Sequence, residues 1–216
     1  MNTLLFQNLF LSQSLKIPSG IVVQKTGHLL KIQGPLGTFF CDLSRLDPSG
    51  TGVFRVHSDP QDAQIQIFVR PDQKAWCGSM ISFFRRHFEG VSQGYLITLE
   101  CVGVGYRALV RTEASKTSEP NPSSKFISKA DPKKTRKLGQ ILELKLGQSH
   151  ELLYELPENV RVFSLKPSVF CLYGIDLEQI QQIAAELRRL KPPEPYKGKG
   201  IRRQDEILRL REGKKK

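Results

Sequence analysis

From Ile17 to Leu190 the chain runs twice through one order of local patterns: short apolar alternations separated by turn signals, then a helix. In the first pass Ile21-Val22-Val23, Leu29-Leu30-Lys31-Ile32 and Thr38 to Leu43 read as short strands, joined by turns at Thr26-Gly27 and Gly34-Pro35. Val53-Phe54-Arg55-Val56 and Ile65 to Val69 form a further hairpin pattern. Trp76, Met80, Phe84 and Phe88 then recur every four residues, which predicts one apolar stripe on a helix from about Asp72 to Glu89. The second pass opens with Tyr95 to Cys101 and Tyr106 to Val110, continues with Ile141 to Leu146, and ends its strands with Val160 to Leu165 and Val169 to Leu172. Asp176 stands as a helix cap before Leu177, Ile180, Ile183, Ala184, Leu187 and Leu190, and Pro192-Pro193 stops that helix. Strands of period two must pair with neighbours, and one amphipathic helix per set covers one face of a sheet. The expected fold class is α+β: two tandem duplicated domains, each a small antiparallel sheet with a helix packed on one face.

Charge is spread unevenly over this frame. The chain carries +12, yet 191–216 holds ten Lys/Arg against four acids, a net of +6, and 113–138 holds seven against three, a net of +4. The other 164 residues, with sixteen cations and fourteen acids, are nearly neutral. The expected organisation is a leader over 1–16, a first domain over 17–91, a second over 92–190 whose hairpin is interrupted by the basic insert 113–138, and a basic tail over 191–216. The leader is apolar, free of Arg and positive only at Lys16, unlike a secretory signal or an Arg-rich transit peptide, and is read as short and uncleaved.

Clustered cations repel one another unless an anion is bound, so this pattern points to a polyanionic partner. Nucleic acid leads, because membrane binding wants a broad apolar helix face or a lipid anchor, and the tail offers only Ile201, Ile207, Leu208 and Leu210. No run reaches transmembrane length, and no membrane insertion is expected.

No catalytic constellation is visible, and no cofactor or metal is expected. Cys41, Cys77, Cys101 and Cys171 lie far apart in apolar context, which fits reduced buried thiols. His28, His57, His87 and His150 are equally scattered, and Cys77 and His87 stand about 15 Å apart along one helix, too far to share a metal. Gly103-Val104-Gly105 is not the start of a dinucleotide loop, since a strand rather than a helix follows it, and its glycines fit a strand bend.

The tail is more specific. Pro192-Pro193-Glu194-Pro195 favours an extended left-handed backbone that holds Tyr196 outward, where it can stack on a base or ribose. Lys197-Gly198-Lys199-Gly200 alternates cations with residues that let backbone amides approach phosphates. A flexible linker with a solvated tyrosine has the same composition.

The stretch PPEPYKGKGIR, Pro192 to Arg202, resembles the signature of the sixth large-subunit ribosomal protein family of bacteria and organelles. The likeness extends over Ile17-Pro18-Ser19-Gly20-Ile21, Val102 to Ala108, Leu146 to His150 and the KKK ending, in the expected order from about Lys16 to Lys216. The resemblance implies a non-enzymatic duplicated α+β protein at the base of the large-subunit stalk. Its partners would be large-subunit rRNA close to the sarcin–ricin loop and neighbouring ribosomal proteins, with translational GTPases nearby. Tyr196, Lys197, Lys199, Arg202 and Arg203 inherit the rRNA-contacting role by matching the motif, with Arg188 and Arg189 on the preceding helix as further candidates. The insert 113–138 stands where bacterial members have a short turn, and it either contacts RNA, as its +4 suggests, or runs through solvent. Val160 to Pro167 and Cys171 look closer to mitochondrial members, which makes the mitochondrial large ribosomal subunit the expected location, with a bacterial cytoplasm or plastid as the alternative. A free regulatory RNA-binding protein and an enzyme acting on RNA are the other readings.

Overall fold

The structure, a computed structural model, describes residues 11–50, 52–57, 63–111 and 138–212. It is an α+β protein of two compact units. The first comprises residues up to Tyr95 together with Ile175–Leu177, and the second comprises Leu96–Gly174 and the chain from Glu178 onward.

In the first unit six strands form two three-stranded antiparallel sheets. One sheet is ordered β1 (Leu11–Lys16), β6 (Gln64–Val69), β5 (Val53–His57), and the other β2 (Val22–Thr26), β3 (Leu29–Gln33), β4 (Thr38–Asp42). A short helix α1 (Leu43–Leu46) follows β4, capped by the Asp42 carboxylate, which accepts the Ser44 amide. A 3-10 turn at Pro71–Gln73 leads into helix α2 (Lys74–Ser92). The inward residues Leu30, Ile32, Ile65, Ile67 and Val69 of the sheets, with Phe84 and Val91 of α2, are fully shielded from solvent. Phe54 packs edge-on against Phe84 and Trp76, with ring centroids 6.0 and 5.8 Å away.

Three expectations change here, the first being that the strands of this unit divide between two small sheets where one was expected. The leader over 1–16 loses its last six residues to β1, whose register runs from Leu11 opposite Val69 to Lys16 opposite Gln64. Its alternation of half-buried and exposed positions is that of a strand half covered by a core; residues 1–10 lie outside the described residues. The apolar stripe of α2 also turns. Steps of four residues drift by about 40° each around a helix of 3.6 residues per turn, so a series of four cannot stay on one line. Trp76 accordingly sits at the edge, donating its indole N–H to the Leu46 carbonyl at 3.3 Å, while Cys77 takes the interior position.

The second unit has a three-stranded antiparallel sheet, β10 (Leu152–Pro157), β9 (Leu138–Lys145), β8 (Arg107–Arg111), and a four-stranded sheet ordered β11 (Val160–Lys166), β12 (Val169–Gly174), β7 (Tyr95–Val102), β13 (Gly200–Arg203). Helix α3 (Leu177–Leu190) begins one residue after Asp176 and buries Ile180, Ile183, Ala184 and Leu187. It is tied to β10 by the Tyr154 hydroxyl, which donates to Glu186 at 2.5 Å. The insert leaves and rejoins a hairpin, since Arg111 at the end of β8 stands opposite Ile141 of β9. Leu138, its expected last residue, opens β9, and the cations Lys116 to Lys137 lie outside the described residues. Buried Glu143 on β9 holds the Arg111 guanidinium at 2.5 Å, fixing the strand where the insert departs.

Candidate nucleic-acid interface

Helix α3 ends at Leu190, and the two prolines that follow deny it further amide donors. The chain then folds back on itself. The Glu194 amide donates to the Lys199 carbonyl at 2.8 Å, the Gly198 amide to Glu194 at 2.9 Å, and the Ile201 amide to Lys191 at 2.8 Å. Gly200 to Arg203 becomes β13, paired antiparallel to β7 with Ile201 opposite Cys101 and Arg202 opposite Glu100. Further on, the Arg211 amide reaches the Pro195 carbonyl at 2.8 Å.

The expected extended strip is thus a folded turn followed by an edge strand. The cause is Ile201, whose complete burial is worth about 1.5–3 kcal/mol. Glycine at 200 is required for the same closure: with φ at 143°, a Cβ there would lie 2.6 Å from the Pro192 carbonyl oxygen and 2.8 Å from that of Lys191. This glycine lets backbone approach backbone, where the sequence had suggested an approach to phosphate. The Gly103 and Gly147 positions have a similar explanation. A Cβ at either would meet the Tyr106 ring, at 2.7 and 3.0 Å, so the two turns close on opposite sides of one tyrosine.

The structure divides the predicted site residues into two sets. Arg202 is engaged within the protein, its guanidinium donating to a Glu100 carboxylate oxygen at 3.0 and 3.2 Å. Arg188 is likewise paired with Glu206. Arg189, Lys197 and Arg203 are exposed, Lys199 is half-buried, and among the described residues none of these four side chains makes an ion pair. Tyr196 stands outward, 53 % exposed. Arg188, Arg189 and Arg203 line one open cleft of about 730 Å³ with Ala185, Pro192, Asp205 and Glu206. Helix α3 presents its C-terminal end there, where backbone carbonyls favour cations and help hold Arg188 and Arg189 in place. Lys197 and Lys199 do not line that cleft.

Sequence reasoning missed Glu100 and Glu206, the acids that decide which cations stay available. Glu100 lies 102 positions from Arg202, and no local signal links them. Among the described residues no three His, Cys, Asp or Glu side chains gather as metal ligands, and no helix is long and apolar enough to cross a membrane. Burial pushes the thiols of Cys41 and Cys101 up to about 11, helped by Asp42 and Glu100 respectively.

These features define a class: a two-unit α+β protein whose surface chemistry is a set of uncompensated cations beside an outward tyrosine. The profile of the family described as Ribosomal protein L6 matches residues 134–204, which include α3, the turn and β13. The large ribosomal subunit protein uL6m of Prototheca wickerhamii is 34 % identical over 204 residues, covering 94 % of this chain and 95 % of that protein. The uL6 protein of Rhodopseudomonas palustris strain TIE-1 is 32 % identical over 207 residues, covering 93 % and 94 %, and that of Hyphomonas neptunium 30 % over 223 residues, covering 94 % and 97 %. This chain belongs to the ribosomal protein L6 family of the large ribosomal subunit, and is a structural, non-enzymatic protein.

Proposed function

We propose that the chain binds large-subunit rRNA near the sarcin–ricin loop at the stalk base, in the mitochondrial ribosome, through Arg189, Tyr196, Lys197, Lys199 and Arg203. The observation that carries this reading is the division of the basic cluster. Glu100 and Glu206 engage Arg202 and Arg188, while the other four cations stay unpaired among the described residues beside an exposed ring. Four uncompensated cations beside a tyrosine suit a phosphate backbone with one nucleotide stacked, and release of condensed counterions supplies the affinity. Arg202 and Arg188 are positioning residues in this reading: each anchors a piece of the post-helical segment to β7 or α3. Proteins of the stalk base are the expected neighbours, with translational GTPases close by. Mitochondrial residence is supported by the 34 % identity to the Prototheca uL6m protein, beside 30–32 % for the bacterial relatives, and by the resemblance of the Val160 to Pro167 stretch to mitochondrial members.

Binding of a large-subunit rRNA fragment, measured against salt, tests the assignment. Replacing Lys197, Lys199 and Arg203 together by Gln should lower the slope of log K against log salt by about 2–3, at roughly 0.7–0.9 per phosphate contact. Arg202→Gln should leave the slope nearly as it was and lower stability instead. An unchanged slope in the triple variant removes these side chains from the interface. Gradient sedimentation tests the setting: the protein should travel stoichiometrically with mitochondrial large subunits, and a mostly free pool would contradict the structural role.

A further inference from the structure

The four-stranded sheet of the second unit has one face turned to its core and one turned outward. Val160, Val162, Leu99, Phe170, Leu172 and Ile201 are buried on the inner side. The outer side follows from the register. Arg161 stands opposite Tyr173, Phe163 opposite Cys171, and Lys166 opposite Val169 across a bulge. Thr98 Oγ1 lies 3.3 Å from Cys171 Sγ, and the Cys101 amide bonds the Ser168 carbonyl at 2.7 Å, so β7 runs antiparallel to β12 and Leu96 falls beside Tyr173. Arg202, paired with Glu100, completes the face on β13.

This surface is unlike an ordinary solvated sheet. Leu96 is 61 % exposed, Phe163 47 % and Leu165, at the bulge, 66 %. The rings of Phe163 and Tyr173 neighbour each other across two strands, with centroids 6.5 Å apart. Arg161 and Lys166 carry positive charge along the β11 edge, and Arg202 stands at the β13 edge, while Arg203, opposite buried Leu99, points to the other side of the sheet. Glu100 is the one acid among the described residues of the face, and Arg202 neutralises it. Aromatic rings beside the cationic β11 edge match an anionic ligand with flat faces. The β13 edge is moreover where the cations of the proposed rRNA site begin, and β11 lies three strand spacings away, about 14 Å.

We propose that the outer face of this sheet is a second RNA-contacting surface, which stacks unpaired nucleotides on Phe163 and Tyr173 while Arg161 and Lys166 hold their phosphates. It rests on the reading that the chain faces rRNA, and it adds a base-stacking platform to a phosphate-binding edge. A strand of RNA that rounds the β13 edge from Arg203 onto the outer face crosses β7 and β12 before it reaches the two rings.

The test uses the full chain with two probes, a short oligouridylate and a base-paired RNA hairpin. Phe163→Leu keeps the apolar area and removes the ring; Tyr173→Leu does the same next to it. Each should weaken oligouridylate binding about tenfold while hairpin binding stays as in the parent, and at the more exposed Phe163 the thermal transition should stay as well. Phe163→Trp should restore or improve it. The triple Gln variant at 197, 199 and 203 should weaken both probes, so loss there with no effect of the leucine variants overturns the sheet-face proposal and leaves the tail reading standing. Loss in the leucine variants with no effect of the triple variant supports the platform and removes the tail assignment. In the intact large subunit, a photo-crosslinker at Leu165 should join rRNA; an adduct with a protein alone, or none, overturns the proposal.

Discussion

Replacing Gly200 by Ala asks whether the glycine of the Lys-Gly-Lys-Gly stretch serves the fold or the ligand. At φ 143° an L side chain is strained, at a cost of about 1–3 kcal/mol. The added methyl would meet two carbonyl oxygens at 2.6 and 2.8 Å, and moving them breaks the Ile201 amide bond to Lys191, worth about 1 kcal/mol. The sum, about 2–4 kcal/mol, falls on the second unit alone. With a urea dependence of about 2 kcal/mol per molar, the unfolding midpoint of that unit should drop by about 1–2 M. Trp76, the one tryptophan, sits in the first unit, so its fluorescence should report an unshifted transition while exchange of the Ile201 and Arg202 amides becomes fast. Gly198→Ala is the control: its φ is 67° and the nearest atoms to a new Cβ lie at 3.5 Å, leaving only the backbone term of about 1–2 kcal/mol. If Gly200→Ala leaves exchange and midpoint as they were, while RNA binding falls, the glycine serves the ligand and the folding argument is wrong.

Three further expectations follow from the same geometry. A double-mutant cycle on Arg202 and Glu100, whose side chains are 33 and 32 % exposed, should give a coupling below about 1 kcal/mol that shrinks with salt. Burial of Asp47 works to raise its carboxyl, but hydrogen bonds from Gly52, Ser49 and Gly50 outweigh this and hold it below the ordinary 3.8. A lowered folded value contributes stability that is complete above 3.8 and lost as pH falls through the folded value; Asp47→Ala should therefore cost about 1.5–3 kcal/mol at neutral pH, read by Trp76 fluorescence, and should remove that part of the acid dependence. Cys41 and Cys101, raised to about 11, should resist iodoacetamide at neutral pH in the folded chain and react once urea unfolds it, as mass spectrometry would show.

What the sequence disclosed was whatever depends on neighbours in the chain. The hairpin turns at Thr26-Gly27 and Gly34-Pro35, the stripe of α2 and the stop at Pro192 are local, and each is found near its expected place. Leu11 to Lys16 was hidden because six alternating residues beside an apolar stretch read equally well as a leader, and only the partner strand Gln64–Val69 decides between them. Ile201 was hidden for a sharper reason. Between glycines and cations it looks like a solvated tail residue, and its burial depends on Cys101 and Leu99, about a hundred positions earlier. The candidate site was legible as a cluster, since Arg188 to Arg203 are contiguous, but its internal pairing was not, because Glu100 comes from a distant strand.

The pairing of β7 with β13 also governs what happens to unfinished chains. Synthesis reaches Tyr95 to Val102 about a hundred residues before Gly200 to Arg203 exists, and through that interval one side of β7 has no strand to bond. An open edge of that kind is a template for any other extended segment, including one from a second nascent copy. Products that stop short of residue 200 keep that vulnerability permanently, so a chain truncated there should be sticky and rapidly degraded and not merely weaker in affinity.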